Sequence, residues 1–201
     1  AIEALGSALA GSSRPLIVTS GTSLLTAGRL GTEDDALTPT IPRVASEEAA
    51  DAVAARGVRV SVVRLPQVHD RVKQGLVTIL VDVAREKGVS AFVGDGLNRW
   101  PAVHRLDAAY LYKLVLEKGF AGARYHAVAE EGVPLRDIAA AIGRRLNIPV
   151  VAKSPEEAAD HFGWLGPFVG MDVPASSAKT RERLGWRPTQ TGLIADLDHA
   201  S

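Results

Sequence analysis

Apolar positions recur along the chain with periods that change from helix to strand and back. Ile2, Leu5 and Leu9 are three to four apart, which predicts a helix over residues 1–10, ended by Gly11, Ser12 and Ser13. Residues 15–20 are then a short apolar run between turn residues, as expected of a strand buried on both faces. Residues 21–42 have no period and are rich in Gly, Thr, Asp and Pro, so they predict a long functional loop. An alanine-rich helix over 43–56 and a β-branched strand over 58–65 follow. Helix, buried strand, helix, buried strand is the order of an α/β parallel sheet.

Beyond Pro66 the pattern loosens into a smaller α+β segment. Val72, Leu76, Ile79, Leu80 and Val83 predict a helix over 72–87, with a short strand near 91–93 and a turn at Gly94, Asp95 and Gly96. A helix over 106–118 and a strand over 124–128 come next, and Leu135, Ile138, Ala139, Ile142 and Leu146 trace a further amphipathic helix. Ser154, Pro155 and Glu157 supply an N-cap, a first-turn proline and a capping glutamate. Ser177 to Leu184 forms a last short helix, stopped by Gly185.

Composition narrows the chemistry. The 201 residues suffice for a sizeable core, and 46 % hydrophobic with 23 % charged residues is the balance of a folded globular chain. Lysine plus arginine equals aspartate plus glutamate at 23 each, so the net positive field behind general nucleic-acid affinity is missing and no nucleic-acid partner is expected. With no cysteine, disulfides, cysteine-ligated zinc and thiol nucleophiles are excluded. The longest apolar stretch, near residues 75–84, is about half the length that spans a bilayer and carries Asp82. No signal-peptide layout opens the sequence, and a soluble, cytoplasmic protein is expected. His69 with Asp70, and His104 with Asp107, lack the spacing of known zinc motifs, so no metal site is expected. Gly21 to Leu25 lacks the last glycine of a serine-hydrolase elbow.

Four stretches, in this order, carry a resemblance. Arg64 to His69 is similar to an "R-P-x-x-V-Y-G" passage, Gly94 to Gly96 to a "G-D-G" turn, and Val103 to Ala109 to a "V-x-V-x-D-x-A" passage. Ser176 to Thr189 is similar to a terminal "S-x-K-x-x-x-x-L-G-W-x-P" signature. Together they resemble the extended short-chain dehydrogenases/reductases, the NAD-dependent epimerases and dehydratases, over essentially the whole chain. The resemblance implies a partial Rossmann-type parallel sheet, its second half, with a small α+β substrate domain. Residues 1–70 would form the C-terminal half of an NAD(P)-binding domain and 71–201 a substrate-binding domain, some of whose helices pack back on the sheet. It implies NAD or NADP as cofactor, a small-molecule partner, and a possible homodimer through the helices at 1–10 and 43–56.

The departures from that family are as informative. No Gly-rich turn of the kind that holds a dinucleotide pyrophosphate at a helix N-terminus precedes the first strand, so the chain is expected to start in the helix before the fifth strand of the fold, as a fragment or a natural short form. Without further strands, Leu16, Val18, Val60 and Val62 are expected on an uncovered sheet edge or face. Where the family places a Tyr-x-x-x-Lys pair that moves a proton, this chain has Arg43 and Glu47, an atypical pattern. Arg43 stays protonated, so it can polarise a carbonyl but cannot act as base, which leaves proton handling to water or Glu47. The alternative is a plain surface i, i+4 pair. Ser20 and Thr22 stand where a substrate-holding hydroxyl is expected, or they cap loop backbone. Ser20, Gly21, Pro66 and Val68 would approach the cofactor, and His69, Arg99 and Trp100 the substrate. Trp100 takes the place of an arginine that grips a diphosphate in nucleotide-sugar enzymes, with Arg99 one position off. A less charged substrate follows, with Trp100, Trp164, Phe162 and Phe168 available to line an apolar pocket. The implied activity is hydride transfer between nicotinamide and a small carbonyl or alcohol. The alternative is a non-catalytic NAD(P)H-binding sensor on the same fold.

Overall fold

A computed structural model describes residues 1–38 and 42–199. Its first sheet has three parallel strands in the order β1 (Leu16–Gly21), β2 (Val60–Leu65), β6 (Arg124–His126), with Val18 opposite Val62 and Val63 opposite Tyr125. Between strands β1 and β2 lie a 3₁₀ turn at Thr22–Leu24, an irregular stretch over 25–38, a second 3₁₀ turn at Pro42–Val44 and helix α2 (Ala45–Ala54); part of the loop expected over 21–42 lies outside the described residues. Helix α1 (Ile2–Leu9) and α2 cover one face, where Val18, Val60 and Val62 meet Ala50 and Val53. These valines are therefore buried, so the expected uncovered face is covered, while β1, with half-buried Leu16, stands at the edge of this sheet as the alternative allowed. Gly6 lets α1 approach α2, since a Cβ there would stand 2.4 Å from Val53 Cγ1. The helix consequently turns Gly6 inward and leaves Leu5 54 % exposed, shifting the face read from its spacing.

The opposite face packs against α4 (Arg105–Lys118), where Val63 and Tyr125 meet Leu111, Leu114 and Val115. Two passages about eighty residues apart in sequence lock here. The indole N–H of Trp186, fully buried, donates to the backbone carbonyl of Asp107, and the Asp107 carboxylate accepts from the backbone N–H groups of Thr189 and Gln190. Helix α8 (Ala178–Leu184) ends at Gly185 in the left-handed conformation, φ 65°, which turns the chain so that Trp186 folds inward.

A second sheet, β3 (Gln67–His69), β5 (Arg99–His104) and β7 (Glu130–Pro134), is parallel in its first pair and antiparallel in its second. A third pairs β4 (Ser90–Val93) with β8 (Val150–Lys153) in parallel. Helices α3 (Leu76–Lys87), α5 (Leu135–Leu146), α6 (Pro155–Phe162), α7 (Gly166–Val169) and α9 (Leu193–Asp198) enclose a common core with these strands. The expected helix at 72–87 starts four residues late. Asp70 Oδ1 takes the N–H groups of Val72 and Lys73, and Gly75 adopts φ 59°, so the first turn is a capped loop and Val72 is exposed. The capping box at Ser154 and Glu157 is present. Strands β3, β5, β7 and β8 were not foreseen, being short or interrupted by proline and glycine, and neither was the six-residue α9. The architecture is α/β with a parallel sheet, as the alternation of periods implied.

Candidate active site

At the C-terminal ends of β1 and β2 the chain leaves a cleft of about 420 Å³. That is where open α/β sheets bind ligands, because the strand ends diverge there and leave backbone and side chains pointing into a crevice. One end carries the hydroxyls: Ser20 and Thr22, both buried, with Gly21 between them and exposed Arg43 alongside. Pro66 and Val68, leaving β2, form the adjoining wall. The far end is apolar, built by Leu76, Trp100, Pro101, Phe168, Met171 and Val173. Gln67 also lines the cleft, but its side-chain oxygen accepts the backbone N–H of Leu76 at 3.0 Å and so holds the start of α3.

The structure thus brings Ser20, Gly21, Thr22, Arg43, Pro66, Val68 and Trp100 to one cavity, from stretches far apart in sequence. Thr22 Oγ1 sits 3.5 Å from the Leu65 carbonyl, at the limit of a hydrogen bond, and Ser20 Oγ is buried with no partner of full hydrogen-bond geometry. Among the described residues Arg43 is the only charged one on the wall, and no carboxylate pairs with it.

Glu47, His69 and Arg99 are not brought to this cleft. Glu47, on α2, is turned to Arg64, which grips both carboxylate oxygens at 2.8 Å, and Arg124 Nε adds a third contact at 3.0 Å. An i, i+4 pair with Arg43 does not form. Burial alone would push the Glu47 carboxyl up, but Arg64, aided by Ser20 nearby and by Arg124, outweighs it and holds the pKa below the usual carboxylate range. Arg64 is fully buried and also donates to the Asp35 carbonyl. This charged cluster borders a second cavity of about 790 Å³.

His69 is fully buried, with Nδ1 2.8 Å from Asp196 Oδ2 on α9, while Thr191 donates to the other Asp196 oxygen. Burial holds its pKa below the ordinary histidine value against the opposing pull of Asp196 and Glu130. Arg99 points its guanidinium at Asp172, contacting both oxygens at 2.9 Å. It takes the alternate side of β5 from Trp100, as strand geometry requires of neighbouring residues. Of the aromatics proposed for an apolar pocket, Phe168 joins Trp100 on the wall, Phe162 is core, and Trp164 stands 64 % exposed with its ring edge-on to Phe168.

Sequence reading missed Met171 and Val173 on the wall, which nothing local to them signals. It also missed Glu33, buried on the long loop, whose Oε1 accepts both the N–H and the hydroxyl of Thr180 at 2.7 Å. That contact, with Gly31 bridged to Ala175, ties the loop to the end of the chain. Among the described residues no group of three His, Asp or Glu has metal-binding geometry, and no helix is long and apolar enough to cross a membrane.

No protein-family model matches the chain. Among solved structures it is similar in fold to DesIV, a dTDP-glucose 4,6-dehydratase of Streptomyces venezuelae solved with NAD. The TM-score is 0.73 and the identity 21 %, over 99 % of this chain and 62 % of that one. The UDP-glucuronic acid 4-epimerase of Bacillus cereus, solved with UDP-glucuronic acid and NAD, gives a TM-score of 0.74 at 16 % identity, over 99 % and 64 %. The chain therefore spans less than two-thirds of those enzymes' lengths. Similarity in sequence is much higher to two fungal proteins. Uncharacterized protein YLL056C of Saccharomyces cerevisiae is 43 % identical over 200 residues, which cover 98 % of this chain and 67 % of that protein. Uncharacterized protein C2A9.02 of Schizosaccharomyces pombe is 52 % identical over 199 residues, 98 % of this chain and 68 % of its own length. On that identity and coverage the chain belongs to the family of these two fungal proteins, and it is built on the fold of the NAD-dependent nucleotide-sugar dehydratases and epimerases.

Proposed function

We propose that the chain forms the substrate-facing part of an NAD(P)-dependent oxidoreductase acting on a small carbonyl or alcohol. The observation that carries this is the convergence of two buried hydroxyls, Ser20 and Thr22, with the otherwise unpaired Arg43 in a cleft at the strand ends. Residues 1–70 belong to the cofactor side and 71–201 to the substrate side, with α4 and β6 of the latter completing the first sheet.

The cleft fits the nicotinamide end of such a cofactor. Pro66 and Val68 give an apolar wall beside the buried hydroxyls of Ser20 and Thr22. When bound, the cofactor would supply hydride to a carbonyl carbon or take it from an alcohol. The part played by this chain concerns the oxygen. As a carbonyl is reduced, the electron pair of its C=O bond moves onto oxygen, and Arg43 with the Thr22 hydroxyl stabilises that charge. Arg43 keeps its proton, so the alkoxide is protonated by water. Glu47, bound by two arginines and held ionised, anchors α2 and thereby the turn that carries Arg43.

Loss of NAD(P)H absorbance with a panel of aldehydes and ketones, followed for this protein and its Arg43→Ala variant, tests the reading. Arg43→Ala should lower kcat/KM about 10- to 100-fold, or roughly 1.4–2.7 kcal/mol of transition-state stabilisation. Tight NADH or NADPH binding without turnover of any carbonyl would instead identify a non-catalytic sensor.

A further inference from the structure

The two ends of the cleft differ in kind, and the difference specifies what fits. Apart from Arg43 at the hydroxyl end, no wall residue carries a charge. The far end is a box of Trp100, Phe168, Met171, Val173, Leu76 and Pro101, in which Trp100 is 2 % exposed and fixed by the core behind it. A nucleotide-linked sugar carries two phosphates and several hydroxyls, and burying these against aromatic and thioether surface without donors costs far more than it returns. Arg99, the neighbour of Trp100 in sequence, is no substitute for a diphosphate-gripping arginine, since its guanidinium is already bound bidentately by Asp172 away from the cleft.

We propose that this site takes a neutral carbonyl compound with an apolar body, of the aryl-ketone or branched-alkyl aldehyde type, and not a nucleotide sugar. Its oxygen points to Thr22 and Arg43 and its ring or alkyl group lies on Trp100 between Phe168 and Met171. This rests on reading the cleft as the oxidoreductase site, but it concerns recognition alone and is testable without any cofactor.

Tryptophan emission gives the test, because an aryl ketone in contact with an indole quenches it. In a Trp164→Phe background, which removes the exposed indole, the chain is titrated with propiophenone and separately with UDP-glucose. Saturable quenching by propiophenone is expected, weakened about tenfold by Phe168→Ala and abolished by Trp100→Phe, with no response to UDP-glucose and no competition from it. Circular dichroism verifies that each variant is folded, and Phe168→Ala, a half-buried site, serves if Trp100→Phe does not fold. Quenching that does not saturate, that is indifferent to Phe168→Ala, or that UDP-glucose displaces overturns the proposal. Turnover of UDP-glucose by the full-length relatives with neutral carbonyls inert would overturn it while leaving the redox reading in place. Ketone binding without any NAD(P)H turnover would do the reverse.

Discussion

The two cavities that border the first sheet treat charge differently. Around Arg64 and Glu47 the central charges answer one another: two oxygens on two nitrogens, a second arginine behind, and Asp51 closing the set on Arg124. In the cleft, by contrast, Arg43 has no acid opposite it among the described residues. Satisfied charge holds structure together, whereas polar groups left unsatisfied at a cavity wall are available to a ligand. The comparison separates two residues, Arg43 and Glu47, that are four apart in sequence and look like partners there.

Removing a partner from the closed cluster should have the largest effect. Glu47→Ala leaves the fully buried Arg64 guanidinium uncompensated, and a loss of about 3–5 kcal/mol is expected by urea unfolding. An unfolding midpoint that stays put would mean that the carboxylate is not structural and would return it to consideration as a proton carrier. Asp107→Ala comes next. It strips the acceptor from two backbone N–H groups beside the Trp186 anchor, and about 1–3 kcal/mol should be lost without any change in ligand affinity at the cleft, which Asp107 does not line. Arg43→Ala should change stability by no more than about 0.5 kcal/mol, since the side chain is exposed and unpaired; its effect belongs to activity.

Acid provides a graded version of the same contrast. Burial depresses the pKa values of His69, His126 and His161, so the unfolded chain takes up protons at a higher pH than the folded one. The stability these histidines contribute is therefore complete above their unfolded value of about 6.5 and is lost as pH falls below it, at up to about 1.4 kcal/mol per pH unit for each. The urea midpoint should drop from about pH 7.5 to about pH 5.5, and His69→Gln should flatten that slope. A flat midpoint in the parent chain would mean that the protonated rings are accommodated by Asp196, Glu130 and Glu33.

Legibility from sequence follows the range of the interaction. The period of Leu135 to Leu146, the cap at Ser154 and the glycine stop at Gly185 are local devices, and each appears where the residues predict it. The face of α1 and the start of α3 were misread because Gly6 answers to Val53 on another helix and Asp70 caps a turn whose register periodicity does not report. Much of the cleft was readable, since Ser20, Thr22, Pro66 and Trp100 sit in motifs of recognisable order. Met171 and Val173 were not, because they reach the wall only through the loop that Asp172 pins to Arg99.

What the chain alone determined is the alternation of periods, hence the parallel α/β sheet. Tertiary structure decided which charges are spent. Glu47, His69 and Arg99 are chemically as able to meet a substrate as Arg43, and only the folded chain shows that Arg64, Asp196 and Asp172 already hold them. The reason is that a side chain's availability depends on the partners that folding brings within a few ångströms, and those partners lie about 17, 127 and 73 residues away along the chain.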